Sequence, residues 1–590
     1  MDETRVCQNC KGEFKIDASD FDFYKKIDVP PPTFCPECRN QRRMSWRNER
    51  TFHRGKCAAT GKDFLTMFSP EAKMTVYDRD YWWSDKWDQL STGRDYDFSR
   101  PFFEQYAELL HTAPLPNLAN SNCVNSEWGN HSLDCKNTYL FYASIAVEDG
   151  AYITGGVTAK NSFDIYKALN IIDCYEDILC ADDNRLFFSY DSDQSIQSEF
   201  LLSCINMQDS LACINMKNGS HCIFNKHYSK EDYKNERAKY DLGSYAQLEK
   251  FKKEFTEFIK GFPRRYATIL KSVDVSGDAV LTSKNCRHVF DIYGGVEDTK
   301  YLYHGATIKD SYDGYGMGAV AELMYEAVDA GAQARHCMFG VFTHGSQETS
   351  YTYTCHSSSN LFGCVGLRSK QYCILNKQYT KEEYEALLPK IKQQMKDMPY
   401  VDTKGRLYGY GEFFPTEISP FAYNETIAQE YFSLSKQEAE SGGYSWHESG
   451  AKHYTVTIKA ADLPDHIRDA PDSITKEIIE CAHAGKCNQQ CTSAFRIIPS
   501  ELQFLKHFNI ALPRLCPNCR HYERLAKRNP FRLWKRDCEC AGLKSAKGGY
   551  ENISAHPHGE NTCEVKFETP YSPERTEIIY CEQCYQQEVV

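Results

Sequence analysis

The sequence contains no uninterrupted run of 18 apolar residues, so no helix of it is expected to cross a membrane. Residues Met1 to Cys7 offer no apolar core and no small-residue cleavage site, and the chain is not expected to carry a secretory leader. A cytoplasmic setting follows as the default. There is no Gly-x-Ser-x-Gly, no phosphate-loop signature and no His-Glu-x-x-His, so the commonest hydrolase, nucleotide-binding and metalloprotease motifs are missing. Basic excess is missing too. A net charge of -12 argues against a general nucleic-acid coat.

Cysteine is abundant. The 27 cysteines are an odd number, and several fall in Cys-x-x-Cys pairs, which favours metal ligation in a reducing compartment over disulfides. Five lie within residues 1–60, twelve within 120–375 and ten after 480, so the ends are richest. At 590 residues, with 41% hydrophobic and 25% charged content, the chain is long enough for three or four globular domains.

Two internal duplications organise it. The first joins the ends at an offset of 481, pairing Cys10, Cys35, Cys38 and Cys57 with Cys491, Cys516, Cys519 and Cys538. Phe14, Ile16, Phe23 and Pro32 match Phe495, Ile497, Phe504 and Pro513 at the same offset. Further on, Phe64 to Tyr77 resembles Phe567 to Tyr580, after which one copy reads Cys581-Glu-Gln-Cys584 and the other Asp78-Arg-Asp-Tyr81. The N-terminal copy is therefore a two-site module whose second site has lost thiols. The second duplication, at an offset of 151, pairs Cys204, Cys213 and Cys222 with Cys355, Cys364 and Cys373. Gly156 to Asp164 also matches Gly305 to Asp313.

Short aromatic and β-branched runs separated by polar turns make the middle β-rich. Strand starts about ten residues apart, with cysteines nine apart, suit a stacked solenoid. The predicted fold is mainly β: a duplicated right-handed parallel β-solenoid-like middle, zinc-ribbon modules at both termini and a few helices. The predicted domains are a module over 1–110 and a solenoid over 120–400 with helices at about 230–260 and 381–398. An aromatic-rich arm follows over 401–480, with one short helix near 424–441, and a two-site module over 481–590. Ser229 and Thr380 are positioned to cap the solenoid's helices.

Two knuckles that each aim two sulfurs at one ion make a tetrahedral zinc site. Cys7, Cys10, Cys35 and Cys38 form one complete set. Cys487, Cys491, Cys516 and Cys519 form a second, in which Cys481 is the alternative to Cys487. For the third, Cys581 and Cys584 are joined by Cys540 and Cys563, chosen from Cys538, Cys540, His556, His558 and Cys563. His558 is the runner-up, and Cys538, matched to the isolated Cys57, reads as a core residue. About three Zn2+ per chain follow, each structural because no open ligand position is evident. The cysteines of the middle read as small buried core residues.

On these residues the chain resembles large bacterial zinc-ribbon proteins. The stretch from Cys10 through Cys35-Pro-Glu-Cys38-Arg39 looks like the probable zinc-ribbon family. The tail from Cys563 to Tyr585 is similar to short bacterial Cys-x-x-Cys ribbons. The resemblance implies zinc binding and a bacterial cytosolic setting, and no activity.

A basic run follows each second knuckle. Residues 35–57 and 516–538 each carry seven Arg or Lys against two acids, +5 each (7 − 2). Arg39, Arg42, Arg43, Arg47, Arg520, Arg524 and Arg528 are candidate nucleic-acid contacts, since arginine holds phosphate. The competing expectation pairs them with the acidic remainder. In the middle, His288, His304, His336, His344 and His356 with Asp291, Asp310, Asp313 and Glu348 are the candidate groups for an enzyme. The leading reading is a non-enzymatic structural-zinc scaffold whose partner, protein or RNA, the sequence does not name. The alternatives are a polysaccharide-acting enzyme in a solenoid groove and an RNA- or ribosome-associated protein using the arginines.

Overall fold

A computed structural model describes residues 2–126, 128–148, 150–152, 154, 163, 184–448 and 455–589. The chain forms two compact units. Unit 1 comprises Met1–Leu118, Ala267–Glu448 and Pro530–Leu533, and unit 2 comprises Ala119–Tyr266, Ser449–Asn529 and Trp534–Val590. Among the described residues, each unit contains a cysteine-bearing hairpin and helix, parallel β-pairing and part of 401–480. The duplicated segment Gly156 to Asp164 lies outside the described residues, apart from Phe163.

The fold is mainly β, with solenoid ladders in the middle and cysteine clusters at both ends. In unit 1 a 13-stranded sheet runs from Ile269–Leu270 to Lys377–Gln378, parallel until its last hairpin. In unit 2 the ladder pairs Ser121 with Leu133 and Leu133 with Ile145, and later Glu199 with Leu211 and Leu211 with Ile223.

The rung is therefore 12 residues, not about ten, and it varies locally: Gln347 pairs with Ser359, but Cys286 pairs with Thr299. Its internal period is three. Ser189, Ser192, Ser195, Ser198, Leu201, Cys204, Met207, Ser210 and Cys213 are all buried. The residue before most of them, among them Phe188, Asp191, Gln194, Gln197 and Phe200, has φ near +50°. Four such three-residue steps make one turn. Non-glycine residues resist this conformation by roughly 1–2 kcal/mol each, and Asn and Asp resist least. Asn122, Asn125, Asn206, Asp209 and Asn218 occupy such corners. Asn206 also donates to Asn218 one rung away at 2.7 Å.

Small interior residues satisfy the backbone. The Ser192 hydroxyl donates to the Tyr190 carbonyl at 3.0 Å and accepts from the Cys204 amide, 12 residues on, at 3.2 Å. The nine-residue cysteine spacing is three steps. Cys355 Sγ donates to the Cys364 carbonyl at 3.5 Å, and Cys364 Sγ donates to that of Cys373 at 3.3 Å. All six of Cys204, Cys213, Cys222, Cys355, Cys364 and Cys373 are fully buried, as a packed column requires.

Helices close each ladder. In unit 1, Thr380 caps Lys381–Asp397 with a complete capping box, and the helix buries Tyr384, Ile391 and Met395. In unit 2 the single helix predicted over 230–260 is two, Lys230–Arg237 capped by Ser229 and Tyr245–Lys260 capped by Ser244. The second packs Phe251 and Phe255 on Phe200 at 4.9 and 5.5 Å. The aromatic stretch after residue 400 is anchored within unit 1. Phe414 stacks near Trp46 at 4.7 Å and Tyr106 at 4.9 Å, and the Gly411 amide donates to the Tyr351 hydroxyl. Its expected single helix is two short ones, Ala428–Tyr431 and Lys436–Ser441.

Candidate metal centres

Each module presents two sulfurs from a hairpin turn and two from the start of a helix. In unit 1, Glu3–Val6 pairs antiparallel with Glu13–Ile16. The turn between them closes through Cys7 N donating to the Gly12 carbonyl at 2.8 Å, with Lys11 at φ 62°. Cys35 then caps helix Pro36–Met44, whose proline sits where no amide partner is needed. That geometry brings Cys7, Cys10, Cys35 and Cys38 together, with ligand atoms all within 4.8 Å of one another. The Cys35 amide donates to Cys7 Sγ at 3.2 Å, and Asn9 Nδ2 donates to Cys38 Sγ at 3.3 Å. Such N–H···S bonds and a helix start favour thiolate.

In unit 2 the structure draws together Cys481, Cys491, Cys516 and Cys519. Cys481 takes the place predicted for Cys487, because the turn has grown. Strand Ile479–Glu480 pairs with Ala494–Phe495, Cys481 N donates to the Ser493 carbonyl, and the Cys516 amide donates to Cys481 Sγ at 3.3 Å. These contacts repeat those of Cys7, with the Cys-x-x-Cys turn lengthened from 7–10 to 481–491. Cys487 belongs to a separate group with His483 and Cys519.

The third four-thiol group is Cys538, Cys563, Cys581 and Cys584. The predicted ligand Cys540 is not in it, and Cys538, read as core, is. The cause is again an enlarged turn. Strand Trp534–Asp537 pairs with Lys566–Thr569, and Cys538 N donates to the Val565 carbonyl, so Cys538 begins the turn and Cys563 ends it. The Cys581 amide donates to Cys538 Sγ at 3.2 Å. Cys540 and His558 instead lie with His556 and Cys584 in a fourth group.

Packing sulfurs this closely splits their acidities. Hydrogen bonds from Cys35 and Cys38 hold the Cys7 thiol far below its ordinary value, while bonding to Cys35 and Cys7 pushes Cys38 far above. Cys581 is likewise lowered to about 2 by Cys538 and Cys584. A cation at the centre lets all four sulfurs ionise together.

The arginines expected at a nucleic-acid interface are turned inward. Arg39, Arg42, Arg43 and Arg47 are buried in unit 1, as are Arg520 and Arg524 in unit 2, and Arg528 is half-buried. Arg39, Arg42 and Arg43 share one face of helix Pro36–Met44 and meet carboxylates. Arg39 reaches Asp313 at 2.8 Å, Arg43 reaches Asp313 and Glu326 at 3.2 and 3.1 Å, and Arg42 reaches Glu326 and Glu412 at 2.7 and 3.1 Å. Three cations thus meet three anions inside the fold. Arg47 joins Glu49 at 2.7 Å. On helix Pro517–Leu525, Arg520 joins Glu501 at 2.9 Å. A guanidinium held this way cannot reach a phosphate without unfolding its surroundings.

The groups that suggested an enzyme are spread along the unit 1 ladder in local contacts. Asp313 serves the arginine cluster, Asp310 pairs with Lys26, His336 with Glu348 and His344 with Asp329. His356 lies among Trp82, Trp83 and His344, and His288 and His304 lie against tyrosines. Asp291 is buried. Among the described residues no helix is long and apolar enough to cross a membrane. The sulfur clusters are consistent with zinc-ribbon-like modules. No protein-family model matches the chain, and no curated protein matches it.

Proposed function

We propose that this chain is a structural-zinc scaffold protein, in which zinc ions at the three four-thiol groups pin ribbon-like modules onto the solenoid ladders. The observation that carries the reading is the composition of those groups. Each has four sulfurs within 4.8 Å of one another and already meets the coordination number of zinc. A closed thiolate set holds an ion without leaving a position for substrate. In the first two modules the helix that carries the second knuckle also carries buried arginines, so fixing the sulfurs fixes the ion pairs beneath them. Metal binding in such a site supplies folding free energy directly.

Elemental analysis of the full chain purified without chelator tests this. At least three zinc ions per chain are expected. A content of one or fewer, with the cysteines titrating as free thiols, overturns it.

A further inference from the structure

The enlarged turn of the third module contains three donors that the four-thiol group does not use. Cys540, His556, His558 and Cys584 place their ligand atoms within 4.8 Å of one another. Three of the four come from the loop between Cys538 and Cys563, and the fourth is the last sulfur of the four-thiol site.

Both histidines are set up as ligands. His556 Nε2 lies 2.9 Å from the Glu588 carboxylate, so that nitrogen carries the proton. Its Nδ1 is then a bare lone pair, fully buried and without a hydrogen-bond partner. An orphaned acceptor of this kind inside a protein is costly unless something fills it. His558 Nδ1 lies 2.7 Å from the Asn561 carbonyl and is the protonated nitrogen there, which leaves Nε2 facing Cys584 Sγ at 3.4 Å. Carboxylate and carbonyl partners on the far nitrogen are the usual supports of metal-bound histidine.

The supports are themselves fixed. Glu588 is buried and accepts from the Tyr550 hydroxyl at 3.0 Å and the Ile553 amide at 2.8 Å. Asn552 Nδ2 donates to Cys540 Sγ at 3.3 Å, and its carbonyl oxygen accepts from the Tyr580 hydroxyl at 2.7 Å. No such support is needed for a residue that only fills space.

We infer that the third module holds two zinc ions, one on Cys538, Cys563, Cys581 and Cys584 and a second on Cys540, His556, His558 and a bridging Cys584. Charge favours the pair. Four thiolates around one dication leave −2, whereas five thiolates around two leave −1 (−5 + 4). Two sulfurs and two imidazoles are a common tetrahedral zinc set. The N-terminal module is an internal contrast, since its turns at 7–12 and 57–62 have no room for such a loop. The second module repeats the plan in reduced form: His483 and Cys487, from its enlarged turn, approach Cys519, the sulfur equivalent to Cys584.

The inference rests on the zinc reading of the four-thiol groups, and one experiment separates the two. Zinc is counted in the full wild-type chain and in His558→Ala, with zinc-edge X-ray absorption on both. Loss of one equivalent in the variant is expected, together with loss of a zinc–zinc vector at about 3.5–4 Å. An unchanged count, or loss of two or more equivalents, overturns the second ion while the four-thiol reading stands on the wild-type total. A wild-type total of one or fewer defeats the four-thiol reading itself. Glu588→Gln supplies an independent check that keeps every ligand. The second ion should then yield to a chelator at roughly 10–100-fold lower chelator concentration than in wild type. An unchanged chelator profile counts against it.

Discussion

The Cys57 sulfur accepts a hydrogen bond from the backbone amide of Asp78 at 3.2 Å. Cys538 receives the same bond, at the same length, from Cys581. The surroundings match as well. Cys57 opens the turn between His53–Lys56 and Asp63–Thr66, and its amide donates to the Lys62 carbonyl. Thr60, Asp78 and Tyr81 stand where Cys563, Cys581 and Cys584 stand in the other copy.

That correspondence predicts a recoverable metal site. Thr60→Cys with Asp78→Cys and Tyr81→Cys should add one zinc equivalent per chain and raise thermal stability in the presence of zinc. Elemental analysis of the triple variant beside wild type is the measurement. An unchanged zinc content would show that the turn no longer holds a ribbon geometry.

The second four-thiol group separates two neighbouring cysteines. Cys481→Ser should release one zinc equivalent and loosen the start of helix Pro517–Leu525, because Cys481 Sγ accepts from the Cys516 amide. Cys487→Ser should leave the four-thiol ion in place. Cobalt substitution, which reports thiolate number through charge-transfer absorbance, distinguishes the two variants. Equal losses would mean that Cys487 shares the first ion.

Arg43 lies between Asp313 and Glu326, and its side chain is wholly buried. Arg43→Ala leaves two buried carboxylates short of a partner and should cost about 3–5 kcal/mol. Denaturant unfolding of the variant checks the size of the effect. A change within about 0.5 kcal/mol, as surface substitutions give, would contradict the burial of the cluster.

Interior cysteines should behave differently from ligands. Cys364 is fully buried, and desolvation pushes its thiol well above the ordinary range, so it stays protonated and donates to the Cys373 carbonyl. Cys364→Ser keeps a donor of similar size and should destabilise by about 1–2 kcal/mol, the order of burying a hydroxyl in a slightly loose site. Zinc content should not change. A drop in zinc on this substitution would make the column a ligand ladder.

Much of this was legible in the chain. The duplications at offsets of 481 and 151 residues can be read by aligning the chain with itself, and the Cys7–Cys10 and Cys35–Cys38 knuckles and the caps at Ser229 and Thr380 are local patterns that local geometry enforces. The three-residue period was also present, as Ser189, Ser192, Ser195 and Ser198, but it is hidden by chemistry. Interior positions of so narrow a coil must be small, and small here means serine and cysteine as often as valine. A search for alternating apolar residues passes over them.

Sequence by itself determined the mainly β class and the solenoid character of the middle, and its two short knuckles single out Cys7, Cys10, Cys35 and Cys38, whose sulfurs the fold brings within 4.8 Å of one another. Only the tertiary structure decided the other two sets. An inserted loop changes spacing along the chain but not the hairpin's hydrogen bonds, so Cys481 and Cys538 join the four-sulfur groups although Cys487 and Cys540 stand at more familiar spacings. The fate of the arginines was decided the same way. A run of seven basic residues has the same composition whether it faces solvent or carboxylates, and the carboxylates that claim Arg39, Arg42 and Arg43 come from positions 313, 326 and 412. Nothing near the arginines in the chain announces them. The ladder brings Asp313 and Glu326 there and the stretch after residue 400 brings Glu412, and burying three guanidinium groups is tolerable only when three anions are buried with them.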